Sequence, residues 1–366
     1  MDYETPQFFR VMQYAEGTDR DVVDMVSGNP DWEPPDALRE GLREYAGGEP
    51  ADFQYPASEG LAGLREAIAE RRGVPVERVV VTNGAGEANH LAMTEGLDRQ
   101  SGSAVVLTDP VYPYYAGRTN LLGGDARYVP VERDGQLDPD AVREAADEET
   151  ALIVVNSPNN PTGAVYPEST IRELAAVAET NDALLVVDEV YDHFDYTGEF
   201  TSALAVDSPN CVVTNAFSKS MAITGLRVGY AVVPERYVDG VRTRHMLTNV
   251  TVSRPAQYAV RRALAETDPE YYAANRRLLE SRIETFTDAL DAIGAEYTAP
   301  DGGFYVLARL EGVGGTMADV ERLIDEAGVA GMPGAAFGEA YADWLRFALV
   351  TPRVETAADR LAAYLG

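Results

Sequence analysis

Short runs of apolar, β-branched residues alternate along this chain with stretches whose apolar residues recur at helical spacing. The runs are bounded by turn-forming residues and occur at 79–82, 104–108, 151–155, 184–187, 212–214 and 228–233. Between them the spacing predicts helices at 87–96, 138–146 and 168–180, and a short one after Ser218. Strands that alternate with helices form mostly parallel sheets with helices on both faces. The sequence therefore predicts a doubly wound α/β fold.

The C-terminal part of the chain has a different pattern. It predicts a long charged helix at 269–293, a glycine-rich hairpin at 300–306, a helix at 316–327, a strand at 344–350 and a final helix. A chain of 366 residues is long enough for about two domains. We therefore expect a large α/β domain from residues 45–275. A smaller α+β domain is expected from residues 1–44 together with 276–366.

Charge restricts the classes of partner. Sixty acidic residues against thirty basic ones leave a formal net charge of −30. Such a chain has no excess of basic side chains with which to bind nucleic acid or an anionic membrane surface. High surface acidity keeps proteins soluble at high salt, so the composition also predicts a halophilic source.

The expected location of the protein is the cytoplasm. No apolar run approaches the ~18 residues of a membrane-spanning helix. Residues 1–4 are acidic, whereas a signal peptide begins with basic residues. The single cysteine, Cys211, cannot form an intrachain disulfide. Three scattered histidines beside one cysteine offer no metal-ligand spacing, so no metal site is expected.

Four of the predicted strands end in residues suited to ligand binding, and ligands of such sheets lie at the carboxyl ends of the strands. The first strand runs through Gly84-Ala85-Gly86 into a helix, which favours a phosphate at the helix N-terminus. A dinucleotide would need a third glycine where Asn89 stands. The other three strands lead into Asn160-Pro-Thr-Gly, into Asp188 and into Ser218-Lys219.

Lys219 is the only lysine, so the remaining 29 basic residues are arginines. A pyridoxal phosphate site needs one lysine amine to bond the cofactor and one acid to pair with the pyridine nitrogen. Arginine cannot replace that lysine because it stays protonated. A chain with so little lysine that retains one in a strand-end loop, near the acidic Asp188, is thus predicted to bind pyridoxal phosphate.

These motifs resemble the class I/II aminotransferases of the fold type I pyridoxal phosphate family, and most closely their aspartate aminotransferase branch. The resemblance rests on an ordered set: Tyr55, Asn160-Pro-Thr-Gly, Asp188-x-x-Tyr191, Ser218-Lys219, Arg227 and Arg346. It implies a ping-pong transfer of the amino group of an L-amino acid, aspartate-like or of broad range, to a 2-oxo acid such as 2-oxoglutarate.

The resemblance also implies residue roles. Lys219, Asp188 and Tyr191 are expected to be catalytic: Lys219 bonds the cofactor and moves a proton, and Asp188 pairs with the ring nitrogen. The other expected cofactor contacts are Tyr191 and Asn160 at the phenolic oxygen, Tyr112 on the ring, and Ala85, Gly86, Ser218 and Arg227 at the phosphate. Tyr55 is expected to reach the phosphate of a second subunit, which implies a homodimer with shared sites. Arg346, Gly28 and Asn160 are expected to contact the substrate.

Alternatives remain at this point. The same fold also fits a histidinol-phosphate or aromatic aminotransferase, or a lyase or decarboxylase. The turn at Gly84 would instead serve an NAD-dependent oxidoreductase. Asp188 and Arg346 could form structural ion pairs, and Tyr112 could be a core aromatic residue. Arg118 and Arg254 are candidates for binding a second substrate carboxylate.

Overall fold

The computed structural model describes residues 6–366, so residues 1–5, including the acidic segment 1–4 and the start of the predicted small domain, lie outside it. The strands are β1 (Val23–Asp24), β2 (Val79–Thr82), β3 (Ala104–Asp109), β4 (Asp125–Pro130), β5 (Thr150–Asn156), β6 (Leu184–Asp188), β7 (Cys211–Ala216), β8 (Gly229–Val232), β9 (Glu296–Tyr297), β10 (Tyr305–Arg309), β11 (Val329–Ala330), β12 (Met332–Pro333) and β13 (Leu345–Ala348).

The helices lie between the strands and at both ends of the described chain. They are α1 (Gln7–Gly17), α2 (Asp36–Ala46), α3 (Ala62–Arg72), α4 (Gly84–Arg99), α5 (Pro113–Leu121), α6 (Pro139–Ala145), α7 (Glu168–Thr180), α8 (Phe217–Ser220), α9 (Glu235–Asn249), α10 (Arg254–Glu266), α11 (Pro269–Ala292), α12 (Met317–Ala327) and α13 (Val354–Leu365). None of these helices is both long and apolar enough to cross a membrane.

A seven-stranded sheet in the order β2-β8-β7-β6-β5-β3-β4 forms the centre of the molecule. Strand β8 runs antiparallel to both of its neighbours, and the other neighbouring pairs are parallel. Successive side chains on a strand point to opposite faces. Ile153 and Val155 of β5 accordingly pack in one apolar cluster, and Leu152 and Val154 pack in another. The predicted mostly parallel, doubly wound sheet is confirmed.

A separate apolar core joins the two ends of the chain. Val23 and Met25 from the N-terminal segment pack in one cluster with Phe286 of α11 and Phe347 of β13. Strands β12, β13, β10 and β9 form an antiparallel sheet beside this cluster. The antiparallel sheet carries Arg346 on its central strand β13.

The division of the chain at residues 44 and 275 stays a prediction. Helix α2 crosses the first of these positions, and its Leu38 packs in the cluster of the large sheet. Helix α11 crosses the second.

Helix α7 matches its predicted bounds, and the predicted strands differ from the observed ones by no more than a few residues. Strand β4 was not predicted, because it lies at the sheet edge and is largely exposed, with only Val129 buried. Helices α1, α2, α3, α5, α9 and α10 were not predicted either. Helix α9 buries only four residues, so its apolar spacing is weak.

Candidate active site

One cavity of about 520 Å³ lies at the carboxyl ends of β2, β3, β5, β6 and β7. Eleven of the twelve site residues expected from the sequence line it: Gly28, Ala85, Gly86, Tyr112, Asn160, Asp188, Tyr191, Ser218, Lys219, Arg227 and Arg346. The twelfth, Tyr55, does not line this cavity and is 83% exposed. The topology of the sheet therefore brings together residues that lie far apart in the sequence.

Lys219 lies on the short helix α8, which follows β7 directly. Its Nζ donates a hydrogen bond of 2.6 Å to the carbonyl oxygen of Gly28. Burial, together with the positive charges of Arg346 and Arg227, lowers the pKa of Lys219 to about 8, although Asp188 acts in the opposite direction. A larger fraction of this amine is thus neutral near neutral pH than is usual for lysine.

Asp188 ends β6 and is buried. Its Oδ2 accepts hydrogen bonds of 2.7 Å from Asn89 Nδ2 and from the hydroxyl of Tyr115, and its Oδ1 accepts one of 3.1 Å from the backbone of Val190. Thr214 donates to Asn89 Oδ1 at 2.6 Å, so the amide group of Asn89 faces the carboxylate. Burial raises the pKa of Asp188, and the three hydrogen bonds oppose that shift. All three donors are neutral groups, unlike the partner of a structural ion pair.

The N-terminus of α4 forms one corner of the cavity. Gly84 has a φ of +75°, and a side chain there would overlap the guanidinium of Arg227. Arg227 donates to the carbonyl oxygens of Asn83 and Thr224, each at 3.0 Å, which holds it against the helix end. The first N–H groups of a helix lack partners within the helix and carry its positive dipole end. This corner, which Ser218 also lines, fits a phosphate group.

Arg346 of β13 is 5% exposed and lies between two aromatic rings. Its guanidinium carbon is 4.3 Å from the ring centre of Tyr305 and 5.2 Å from that of Phe337. It donates to the carbonyl oxygen of Val26 at 2.5 Å and to Asn160 Oδ1 at 3.3 Å, while its buried Nε has no partner among residues 6–366. An arginine held by neutral acceptors, with a donor to spare, fits a ligand carboxylate better than a structural ion pair.

Asn160 and Tyr191 complete the side of the cavity near Arg346. The amide oxygen of Asn160 accepts from Arg346, so its NH₂ group is available for a ligand. The hydroxyl of Tyr191 lies 3.2 Å from that of Tyr305. Burial and the neighbouring Tyr305 raise the pKa of Tyr191, which keeps its phenol protonated as a donor.

Among the lining residues that sequence reasoning did not identify, four contact the side chains described above: Asn89, Tyr115, Tyr305 and Phe337. Asn89 stands where a dinucleotide motif would have its third glycine, and no local pattern requires an amide there. Tyr115 lies three residues beyond Tyr112. Tyr305 begins β10 and Phe337 follows β12, so both reach the cavity from the C-terminal part of the chain, and no local pattern marks them.

Comparisons with known proteins agree with this geometry. A family model described as aminotransferase class I and II matches residues 20–361. An aspartate aminotransferase of Thermotoga maritima is 33% identical, with 94% of this chain and 92% of the relative covered. An aspartate/prephenate aminotransferase of Thermus thermophilus is 32% identical, with coverage of 94% and 91%. The solved structure of a double mutant of the Thermus thermophilus aspartate aminotransferase superimposes with a TM-score of 0.92 at 30% identity, covering 99% of this chain and 97% of that one.

The low pKa of Lys219 leads to a prediction for the cofactor-free protein. Only a neutral amine attacks an aldehyde, so if the cavity takes up pyridoxal phosphate, as the sequence predicts, the rate of uptake should rise with pH through a midpoint near 8. Growth of visible absorbance after mixing measures this rate, with N-acetyl-lysine as the small-molecule control. Asp188→Asn should move the midpoint further down, because the Asp188 charge raises the pKa of Lys219. A midpoint at the ordinary lysine value would contradict the prediction.

Proposed function

The chain belongs to the class I and II aminotransferases, and on that premise we propose that it moves the amino group of aspartate to 2-oxoglutarate with pyridoxal phosphate bound in the cavity. The aminotransferase and the fold type I architecture expected from the sequence are confirmed by the family match and the relatives. The lyase and oxidoreductase alternatives are not favoured. The aspartate and prephenate in the names of the relatives belong to those proteins, and aspartate is carried over here as a proposal.

The single observation that supports the cofactor is the position of the only lysine. Lys219 shares a cavity with a buried carboxylate, Asp188, and with the anion-binding corner at the N-terminus of α4. These three features match the aldehyde, the ring nitrogen and the phosphate of pyridoxal phosphate, so the residues present fit the group. Tyr112, Tyr191 and Asn160 would contact its ring and phenolic oxygen, and Ala85, Gly86, Ser218 and Arg227 would contact its phosphate.

When bound, the cofactor supplies an electron-withdrawing ring that stabilises negative charge at the substrate α-carbon. The carboxylate of Asp188 would hold the proton on the ring nitrogen, and Asn89 and Tyr115 keep that carboxylate in place. Lys219 Nζ would take the proton from the α-carbon, a role that suits an amine with a pKa of about 8. Arg346 would hold the substrate carboxylate in both half-reactions.

A dicarboxylate needs a second cation, and the two candidates differ in position. Arg254 does not line the cavity, and its guanidinium donates to the carbonyl oxygens of Ala51 and Gln54 at 2.7 and 3.0 Å. Arg118 lines the cavity, and a side chain at Gly86 would contact its Nη2. Its hydrogen bond within residues 6–366 is a long one of 3.3 Å to the carbonyl oxygen of Tyr114. These contacts favour Arg118 as the residue that binds the distal carboxylate.

A homodimer with shared sites is supported by the surface around Tyr55. Tyr55 and Phe53 are 83% and 57% exposed, and Leu247 and Val250 are 76% and 50% exposed. Hydrogen bonds from Arg254 to the segment before Tyr55, and from Thr251 to Ala57, hold these two segments together. An apolar surface of this kind favours a protein partner, and a second copy would bring Tyr55 to the neighbouring cavity.

The cytoplasmic location and the halophilic source stay predictions. Cys211 is buried in β7, and burial raises the pKa of its thiol. A thiol of this kind is poorly reactive, as suits a protein that keeps its cysteine reduced.

Replacing Lys219 tests the cofactor assignment. Borohydride should fix the chromophore covalently to residue 219 of the wild-type protein, and Lys219→Ala should retain none after reduction and unfolding. Lys219→Arg is the matched control, since it keeps the charge without a nucleophilic amine. Transamination should fall by about 10²–10⁴-fold in both variants, because the base at the α-carbon is lost. A covalently fixed chromophore in either variant would refute the assignment.

Replacing Arg118 tests the substrate. In single-turnover mixing with an amino donor alone, Arg118→Gln should slow the reaction of aspartate by about 10- to 100-fold, the loss of one charged hydrogen bond. The reaction of phenylalanine should stay within about twofold. Arg172→Gln, at an exposed position on α7, is the control. Equal losses for both donors, together with weaker cofactor binding, would instead indicate that Arg118 contacts the phosphate.

Mixing inactive variants tests the shared site. Tyr55→Ala and Lys219→Ala should each be impaired alone. In a mixed dimer, one site has Lys219 from one subunit and Tyr55 from the other, so activity should return to about a quarter of the wild-type level after random exchange. Activity of the unfolded and refolded mixture measures this recovery. No gain over the sum of the separate variants would show that Tyr55 acts within its own subunit or not at all.

A further inference from the structure

Tyr305 contacts three of the assigned residues, Tyr191, Arg346 and Gly28, but has no assigned role itself. It is the first residue of β10 and is 3% exposed. Its hydroxyl lies 3.2 Å from that of Tyr191. Its ring lies against the guanidinium of Arg346, 4.3 Å from ring centre to guanidinium carbon. The same hydroxyl lies so close to Gly28 that a side chain at position 28 would overlap it.

The register of the small sheet explains these contacts. Strand β10 pairs with β13 so that Tyr305 is opposite Ala348 and Leu307 is opposite Arg346. Residues two apart on a strand share a face, so Tyr305 and Arg346 are diagonal neighbours on one face of the sheet. The contact between ring and guanidinium is therefore built into the sheet.

We propose that Tyr305 is a positioning residue with two separable parts. Its hydroxyl orients the phenol of Tyr191 toward the cofactor, and its ring holds the guanidinium of Arg346 for the substrate carboxylate. The inference rests on the proposed function, because it takes the assigned roles of Tyr191 and Arg346 as given. One side chain then sets the geometry of both the cofactor end and the substrate end of the cavity.

The hydroxyl acts through a defined direction of hydrogen bonding. When the phenol of Tyr191 donates to a ligand oxygen, its own oxygen can only accept from Tyr305. A hydroxyl that accepts a hydrogen bond becomes a stronger donor, so donation from Tyr305 strengthens the hydrogen bond that Tyr191 donates to the ligand. The titratable and charged groups that face Tyr191 are Tyr305 and Tyr112, which raise its pKa, and Arg346, which lowers it. Loss of the Tyr305 hydroxyl therefore weakens the bond from Tyr191 to a negatively charged oxygen.

The ring acts on Arg346 through cation–π attraction in a buried setting. Phe337 is the second ring near the guanidinium, at 5.2 Å, so Tyr305 is the closer of the two. Without the Tyr305 ring, Arg346 would keep its hydrogen bonds to Val26 and Asn160 but lose the aromatic contact on one face of its guanidinium. Binding of a carboxylate would weaken because the guanidinium would no longer be held in one orientation.

Two substitutions separate the parts. Tyr305→Phe keeps the ring, and the pH midpoint of the visible absorbance of the bound cofactor should rise by about half a unit, as expected for a weakened hydrogen bond to a charged oxygen. The dissociation constant of succinate, an unreactive dicarboxylate, should stay within about twofold. Tyr305→Leu removes the ring, and that dissociation constant should rise about fivefold to tenfold.

Tyr297→Phe is the matched control, since Tyr297 lies on β9 of the same sheet and donates to Asp291 away from the cavity. It should change neither quantity. An unshifted midpoint in Tyr305→Phe, or succinate binding weakened equally by Phe and Leu, would overturn the proposal. If Tyr305→Leu does not fold, the pH midpoint of the cofactor absorbance in Tyr305→Phe still tests the role of the hydroxyl. An unchanged succinate dissociation constant in Tyr305→Phe shows that the ring alone is enough for carboxylate binding. A wild-type protein that binds no cofactor would instead refute the proposed function itself.

Discussion

Burial of the Asp188 carboxylate determines how the surrounding elements are arranged. A charge at the end of a central strand, almost without solvent, is costly unless hydrogen bonds replace the lost water. Asn89 from α4, Tyr115 from α5 and the backbone of Val190 supply those bonds. Because the two side-chain donors come from different helices, satisfying one carboxylate fixes both helices against β6. The same hydrogen bonds to Asp188 position the N-terminus of α4, which forms the anion-binding corner. They also position the ring of Tyr112 at the start of α5.

The cavity is lined mainly by cationic residues, although the chain as a whole is acidic. The whole protein carries −30, yet Lys219, Arg227, Arg346 and Arg118 line the cavity, where Asp188 is the buried acid. The cations lie close enough that two of them lower the pKa of Lys219. Aromatic rings and carbonyl oxygens, rather than carboxylates, hold Arg346, so its charge is not neutralised. This cavity therefore attracts anionic ligands although the molecule as a whole is strongly acidic.

The part of the site that follows strands of the large sheet was predictable, since β-branched runs locate the strands and parallel strands present their carboxyl ends at one edge. Lys219 and Asp188 came from that argument, whereas the roles of Arg346 and Tyr191 came only from family resemblance. Asn89 and Tyr305 were missed for a physical reason. Each matters through a contact with a residue about 100 or more positions away, and neither stands in a local pattern that requires it. Edge strand β4 was not predicted because its exposed side chains give no apolar alternation.

The scarcity of lysine has a chemical consequence. Every basic side chain other than Lys219 is a guanidinium or an imidazole, so reagents that acylate or reductively alkylate side-chain amines have one target, Nζ of Lys219. That amine has a lowered pKa, which makes it more nucleophilic near neutral pH than an ordinary lysine. Apart from the α-amino group of the chain, amine-directed cross-linkers and fluorescent labels would therefore react inside the cavity of the cofactor-free protein and leave the side chains of the outer surface unmarked.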